Sequence, residues 1–326
     1  VADELRVVAN STMWQSDAWT RALVNVLTEE EARGRASEPH PLVLAWRLYR
    51  RRHEGDLVSP AGGGVAFYYA LLARVLGAGR PPQVVREFFL PEHQPERLAW
   101  RLKRFLRRVA FRRTEAIVVY SSAERRLAAD YLALPEARFH TVLFHTNVLQ
   151  PEFVAEARYG FAAGRSERDY RTFFAAIRGL DYPFVVVADR ASVAGLEVPE
   201  NVKLHCDIPL AEYLRLLRDA AFVVVPLLPR QRSTGQVVIL EAYALGKPVV
   251  ATRMVGTTDY VCDGETGLLC DAENSQQMRA AIERLLADPT ARERMGRKAL
   301  ALVERNHTFA VHADQMLGVM RRVVGA

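Results

Sequence analysis

Little in this sequence points to the membrane interior, to metal or to the secretory route. No apolar run reaches bilayer-spanning length, so no membrane-spanning helix is expected. The chain starts at Val with no visible signal peptide, and the expectation is a cytoplasmic protein. Cysteine is scarce. Cys206, Cys262 and Cys270 lack metal-ligand spacing and leave an odd thiol, so they are expected as small buried apolar residues. Repeats, low-complexity tracts and long linkers are also missing. What remains is ordinary globular composition over 326 residues, half of them hydrophobic and a quarter charged, enough for two domains. The charge is uneven. Residues 1–150 hold 22 basic and 16 acidic side chains, and residues 151–326 hold 22 of each, so the whole net charge of +6 lies in the first half. That asymmetry favours an anionic partner there, such as lipid headgroups or a phosphorylated acceptor, ahead of nucleic acid.

The most informative stretch is 233–267. Ser233, Thr234 and Gly235 are small and polar, as where a loop meets a helix N-terminus. From Gln236 to Leu245 the spacing of Val237, Leu240 and Ala244 predicts a helix, stopped at Gly246. Pro248 then leads into Val249, Val250 and Ala251, a run suited to a buried parallel strand. A loop without bulk at a helix N-terminus suits an anion, because unpaired amides and the helix dipole face it. Glu241, early on that helix, repels phosphate but can accept two hydroxyl protons, as from a ribose edge. The pairing suggests a nucleotide-sugar diphosphate.

The stretch resembles the donor-site signature of the group-1 family of retaining glycosyltransferases. That family has an acid, a glycine-rich loop and a second acid eight residues after the first. G-K-P-V-V-A-T and D-G-x-T-G-L-L follow. Here Glu241 is the second acid, Gly246–Thr252 and Asp263–Leu269 match the later motifs, and Ser233 replaces the first acid. The resemblance is strong from about Val185 to Ala301 and weak before residue 115. It implies the GT-B fold, two Rossmann-like α/β domains facing across a cleft, with a C-terminal helix crossing back to the first. The domains are expected at 1–152, joined by 308–326, and at 153–307.

The loop Gly164–Tyr170 is similar to the family's G-R loop, where an arginine and a later lysine hold the donor diphosphate. Arg165 matches the arginine; Tyr170 stands at the lysine position, leaving Arg168 or Arg171 to substitute. The resemblance also places Ile208 against the nucleobase, with a core isoleucine as the plain alternative. The implied catalytic set is Arg165, Arg168, Ser233 and Glu241. The implied binding set is Ile208, Thr234, Gly235, Gln236 and Glu241, with Gly62 and Gly63 from the first domain. No metal or separate cofactor is implied; the nucleotide-diphosphate sugar is the donor substrate. In the front-face mechanism proposed for such enzymes, the leaving phosphate takes the acceptor proton.

In the first half, helices are expected at Asp17–Thr28, Pro41–Arg52 and Val65–Leu76, with a glycine turn at 62–64 that serves either a ligand or a simple turn. Gln83–Phe89 reads as a strand whose Arg86 and Glu87 either face the crevice or form a surface ion pair. Glu96–Arg113 is the most basic stretch. Leu98, Leu102, Phe105, Leu106, Val109 and Ala110 share one helical face, expected against the core. Arg101, Arg104 and Arg108 are candidates for an anionic membrane surface. His145 falls at the domain junction, either reaching the cleft or making a local hydrogen bond.

These readings predict sugar transfer to a lipid-linked or polysaccharide-precursor acceptor. The alternative is a catalytically silent sugar-nucleotide-binding protein of the same fold, motivated by Ser233, the missing lysine and the short first half. An epimerase lacks a convincing acid/base pair.

Overall fold

The computed structural model describes residues 5–11, 16–77, 81–155 and 158–325. They fall into two α/β units. One runs up to Leu143 and resumes at Phe309; the other is Phe144–Thr308.

In the first unit, short runs, most of them containing valine, form β1 (Val7–Ala9), β2 (Leu23–Asn25), β3 (Leu57–Ser59), β4 (Val84–Val85), β5 (Ala116–Val119) and β6 (Phe139–Thr141). Their sheets are ordered β2-β1-β3 and β4-β5-β6, and parallel bridges Val58–Gln83 and Ala61–Arg86 join the two. Parallel neighbours need crossovers. These contain α1 (Asp17–Ala22), α2 (Glu29–Ala32), α3 (Pro41–Arg51), α4 (Gly63–Val75), α5 (Leu98–Phe111) and α6 (Ser122–Leu132).

Three expectations are corrected here. The helix expected over Asp17–Thr28 stops at Ala22, because Leu23–Asn25 pairs in parallel register with Val7–Ala9. The strand expected over Gln83–Phe89 shrinks to two residues, because Glu87 takes a left-handed φ of 55° that ends the extended run. Of the apolar face expected against the core, only Ala110 of α5 is buried there. Trp100, Ala110 and Phe111 are the buried side, whereas Leu98, Leu102, Phe105 and Leu106 face outward.

The second unit holds one six-stranded sheet, ordered β12-β11-β10-β7-β8-β9. The strands are β7 (Gly160–Ala163), β8 (Phe184–Ala188), β9 (Val202–Cys206), β10 (Phe222–Val225), β11 (Val249–Thr252) and β12 (Gly267–Cys270). All pair in parallel. The first strand in sequence lies in the middle, and the winding reverses between β7 and β10. In such sheets ligands bind beyond the carboxyl ends of the strands at that switch point. The helices are α7 (Tyr170–Ile177), α8 (Arg190–Val193), α9 (Leu210–Arg218), α10 (Gln236–Ala244), α11 (Thr257–Tyr260), α12 (Ser275–Ala287) and α13 (Pro289–Asn306). Of the three cysteines, only Cys270 is buried; Cys262 is exposed, against expectation.

The units divide at Leu143, ahead of the expected residue 152. The segment after it is tied to the second unit. Phe144 N donates to Tyr260 Oη, Thr146 N to the His307 carbonyl, and Asn147 Nδ2 to Glu241. The last helix, α14 (Phe309–Val324), groups with the first unit. It packs on α1, and His312 Nδ1 donates to the Leu143 carbonyl at 2.8 Å.

α10 is buried on nearly every side, with Val237 the one residue of the helix outside the core. Such a helix needs a close-fitting end. Lys247 N donates to Ala242 O and Gly246 N to Tyr243 O, a Schellman pair around Gly246 at φ 67°. Gly296 of α13 packs directly on the Gly246 carbonyl, leaving no room for a Cβ. Gly296→Ala is expected to destabilise the unit by about 1–3 kcal/mol, read as a fall in melting temperature.

Candidate active site

At the switch point of the second unit lies a cavity of about 340 Å³. Its walls come from the ends of β7 and β8, the turn after β9, and the starts of α9 and α10. Gly164, Arg165, Ile208, Tyr213 and Glu241 line it, with Asn147 from the segment before the sheet.

Glu241 is the centre of the geometry. It sits one turn beyond Val237 on α10, so both face the same way, and only 3% of it is exposed. Tyr213 Oη donates to Oε2 at 2.6 Å and Asn147 Nδ2 to Oε1 at 3.2 Å. Burial raises the Glu241 carboxyl above its ordinary range, and these two donors partly offset that. Burial and the facing carboxylate push the Tyr213 hydroxyl well above its own ordinary value, so it remains a donor. A carboxylate oxygen has lone pairs for more than one donor, so each oxygen can still accept from a ligand hydroxyl.

Asn147 and Tyr213 escaped the sequence reading. Tyr213 begins the second turn after the Ile208–Pro209 turn and is spaced like any helical aromatic. Asn147 lies two residues beyond His145, the residue expected at the junction. His145 instead stacks on Phe144, with its Nδ1 at 3.0 Å from the Thr146 carbonyl. Tyr213→Phe should weaken any ligand held by Glu241 about tenfold, the loss of one hydrogen bond to a charged group, measured as a dissociation constant.

The loop after β7 is held from beneath. Arg168 Nε donates to the Ala163 carbonyl at 2.9 Å and Nη1 to Ser166 O at 2.8 Å. Its guanidinium fills the space a Cβ on Gly164 would need. Tyr170 Oη donates to Gly164 O at 2.8 Å, and Ser192 Oγ to Arg165 O at 2.8 Å. Arg165 is the exposed cation of this loop and lines the cavity. Arg168 is a strut below it and does not line it, because two of its donors serve its own loop.

The loop before α10 is also tightly folded. Gly235 takes φ 88° at the N-cap, with Val225 and Leu227 against it. Gln236 Nε2 donates to Ser233 Oγ, and Ser233, at the expected position of an acid, is buried under Gly256. Thr234 and Gln236 are buried as well. The cavity wall therefore begins with Val237 and Val238, one step beyond the expected 234–236. The amides of the first turn, Gln236–Val238, have no carbonyl acceptor within the helix. Ile208 lines the cavity after Asp207, whose left-handed φ of 54° turns the chain there. Among the described residues no cluster of three or more His, Cys, Asp or Glu side chains suits a metal ion.

The first unit has its own cavity, about 420 Å³, lined by Gly62, Gly64, Asn10, Arg86 and Glu87 among others. Gly62, at φ 82°, caps α4; Gly63 is not part of the lining. Arg86 does not lie at the surface. It is fully buried, donating Nε to Ser59 Oγ at 3.0 Å and Nη2 to the Asn10 carbonyl at 3.0 Å, with its guanidinium over the Trp19 ring. Burial lowers its pKa, and the Glu87 carboxylate opposes that shift.

A family model described as glycosyl transferases group 1 matches residues 170–288. Alpha-D-kanosaminyltransferase of Streptomyces kanamyceticus is 26% identical over an alignment of 312 positions that covers 86% of this chain and 81% of that protein. D-inositol 3-phosphate glycosyltransferase of Arthrobacter sp. (strain FB24) is 31% identical over 188 residues, 56% of this chain and 42% of that one. The chain thus spans most of the first relative and less than half of the second. Among solved structures, Anabaena HepE in complex with UDP-glucose superposes with a TM-score of 0.71 at 15% identity, covering 98% of this chain and 100% of that one. Sucrose-phosphate synthase from Thermosynechococcus elongatus gives 0.70 at 19%, covering 87% and 77%.

Proposed function

The chain belongs to the group 1 glycosyl transferases, enzymes that transfer sugars, and has their GT-B fold; from that premise we propose that it moves a sugar from a nucleotide-diphosphate donor, with retention of configuration, to a lipid-linked or polysaccharide-precursor acceptor. The observation that carries this reading is the buried Glu241 carboxylate, held by Tyr213 and Asn147 in a cavity that also holds Arg165 and the first turn of α10. In this reading the ribose diol donates to Glu241. The diphosphate meets the amides of Gln236–Val238 and the Arg165 guanidinium. The base lies against Ile208. The Anabaena relative was solved with UDP-glucose, which supports a donor of this class here.

In transfer, the bond from the sugar's anomeric carbon to the diphosphate oxygen breaks and a bond to the acceptor oxygen forms. The acceptor proton passes to the departing phosphate, so no protein base is assigned. Arg165 and the helix amides stabilise the charge that builds on the leaving group. A membrane-linked acceptor would place the protein at the cytoplasmic face of a membrane.

Thermal shift with UDP-, GDP- and ADP-sugars tests the donor, because a ligand that binds the native state raises its melting temperature. Release of free nucleoside diphosphate with an acceptor panel tests turnover, and the anomeric configuration of the product tests retention. No response to any sugar nucleotide would end this reading. A second reading, a silent sugar-nucleotide binder, is favoured by one observation. Ser233 and Tyr170, at two family positions normally occupied by charged groups, are engaged inside the protein. It predicts donor binding without turnover.

A further inference from the structure

α5 turns its apolar ridge to solvent. Leu98, Leu102 and Phe105 are 78%, 55% and 61% exposed. Their spacing of four and three residues puts them on one side of the helix, with the half-buried Val109 in line. The opposite side carries the buried Trp100 and Phe111 and is bolted to α6. Arg104 and Arg108 both donate Nε to the Tyr131 carbonyl at 3.0 Å, and their Nη2 atoms donate to the Asp130 carbonyl at 2.9 and 3.0 Å. These bonds satisfy the end of α6 and fix the roll of α5, so the ridge cannot turn inward. Two of the three arginines expected at lipid are thus structural.

A contiguous apolar ridge on the surface marks an interaction site, and its surroundings indicate the partner. Arg101 and Lys103 are exposed on either flank, and Arg112 is exposed just past the helix. From Arg97 to Arg113 there is no acidic residue. A two-fold contact between copies would bring this cationic strip against itself. A surface with apolar depth and negative charge matches both features. The end of the adjacent α4 is uncovered too, at Val75 and Leu76.

We propose that α5 docks on an anionic lipid bilayer, with Leu98, Leu102 and Phe105 entering the boundary between headgroups and acyl chains and Arg101 and Lys103 on lipid phosphates. The purpose of this surface rests on the lipid-linked acceptor reading; its physics does not. The test is flotation of the purified full chain with vesicles of phosphatidylcholine, alone or with roughly one third phosphatidylglycerol, at about 0.1 M salt. Binding to the mixed vesicles alone is expected. Because each cation near such a surface contributes about fivefold, Arg101→Glu with Lys103→Glu should weaken binding at least about twentyfold. Leu98→Ser, Leu102→Ser and Phe105→Ser together should abolish it. These side chains are exposed, so the melting temperature and donor affinity of both variants should stay at wild-type values. Absence of wild-type binding to the mixed vesicles, or full binding by the triple variant, would overturn the proposal. So would a wild-type dimer that the triple variant loses while vesicles bind neither protein. Wild-type vesicle binding with no response to any sugar nucleotide would instead refute the donor reading and leave this one standing.

Discussion

Replacing Glu241 by alanine is expected to weaken donor binding about a hundredfold, because two hydrogen bonds from ribose hydroxyls to a carboxylate contribute roughly 1.5 kcal/mol or more each. Calorimetric titration with the nucleoside diphosphate selected by thermal shift measures it, and an unchanged dissociation constant removes Glu241 from the site. Glu241→Gln separates charge from shape. Burial holds the Glu241 carboxyl above its ordinary value of 4.5, so the folded protein binds this proton more tightly than the unfolded chain does. The resulting stability is fully present below about 4.5 and is lost as pH rises through the raised folded value. At neutral pH the buried charge is a cost. The glutamine variant should therefore melt at or above the wild-type temperature there, while binding donor weakly. The difference should close as the pH falls below about 4.5, and melting curves across that range check the sign.

Arg165→Ala is expected to lower kcat about a hundredfold, since losing one donor to a developing negative charge costs roughly 3 kcal/mol. The Arg165 side chain is exposed, so the melting temperature should hardly move. Arg165→Lys keeps the charge without the planar fork and should recover only part of the rate. Arg168→Ala should behave in the opposite way. It removes the strut under Gly164 and leaves the Ala163 and Ser166 carbonyls without their donor, so stability falls first. Measuring kcat and melting temperature on both variants separates the two arginines. Equal losses of rate with equal stability would contradict this division of labour between them.

Much of the second unit was legible because its signals are local. Phe222–Val225 and Val249–Ala251 are apolar runs with only one physical use, and both became buried strands. Gly246 stops α10 for a reason visible in sequence, its tolerance of positive φ. The stretch around Glu241 pointed to the acid because motif and helix coincide. The rest depended on distance. Tyr213 and Asn147 lie 28 and 94 residues from Glu241 and meet it only through tertiary packing. The fate of Arg168 depended on which carbonyls the folded loop would offer. The ridge of α5 shows the limit of periodicity, which gives the stripe but not the side facing inward. That side was decided by Trp100, Phe111 and the arginine bonds to α6. Leu23–Asn25 reads as helix in sequence because a helical pattern cannot reveal the neighbour that pairs it as a strand.

The enclosure of α10 has a consequence for motion. A helix whose residues nearly all lie in the core cannot fray or swing out alone, so its hydrogen-bonded amides, from Ile239 onward, should exchange with solvent only when the whole second unit opens. Glu241 is then anchored in the last part of that unit to yield.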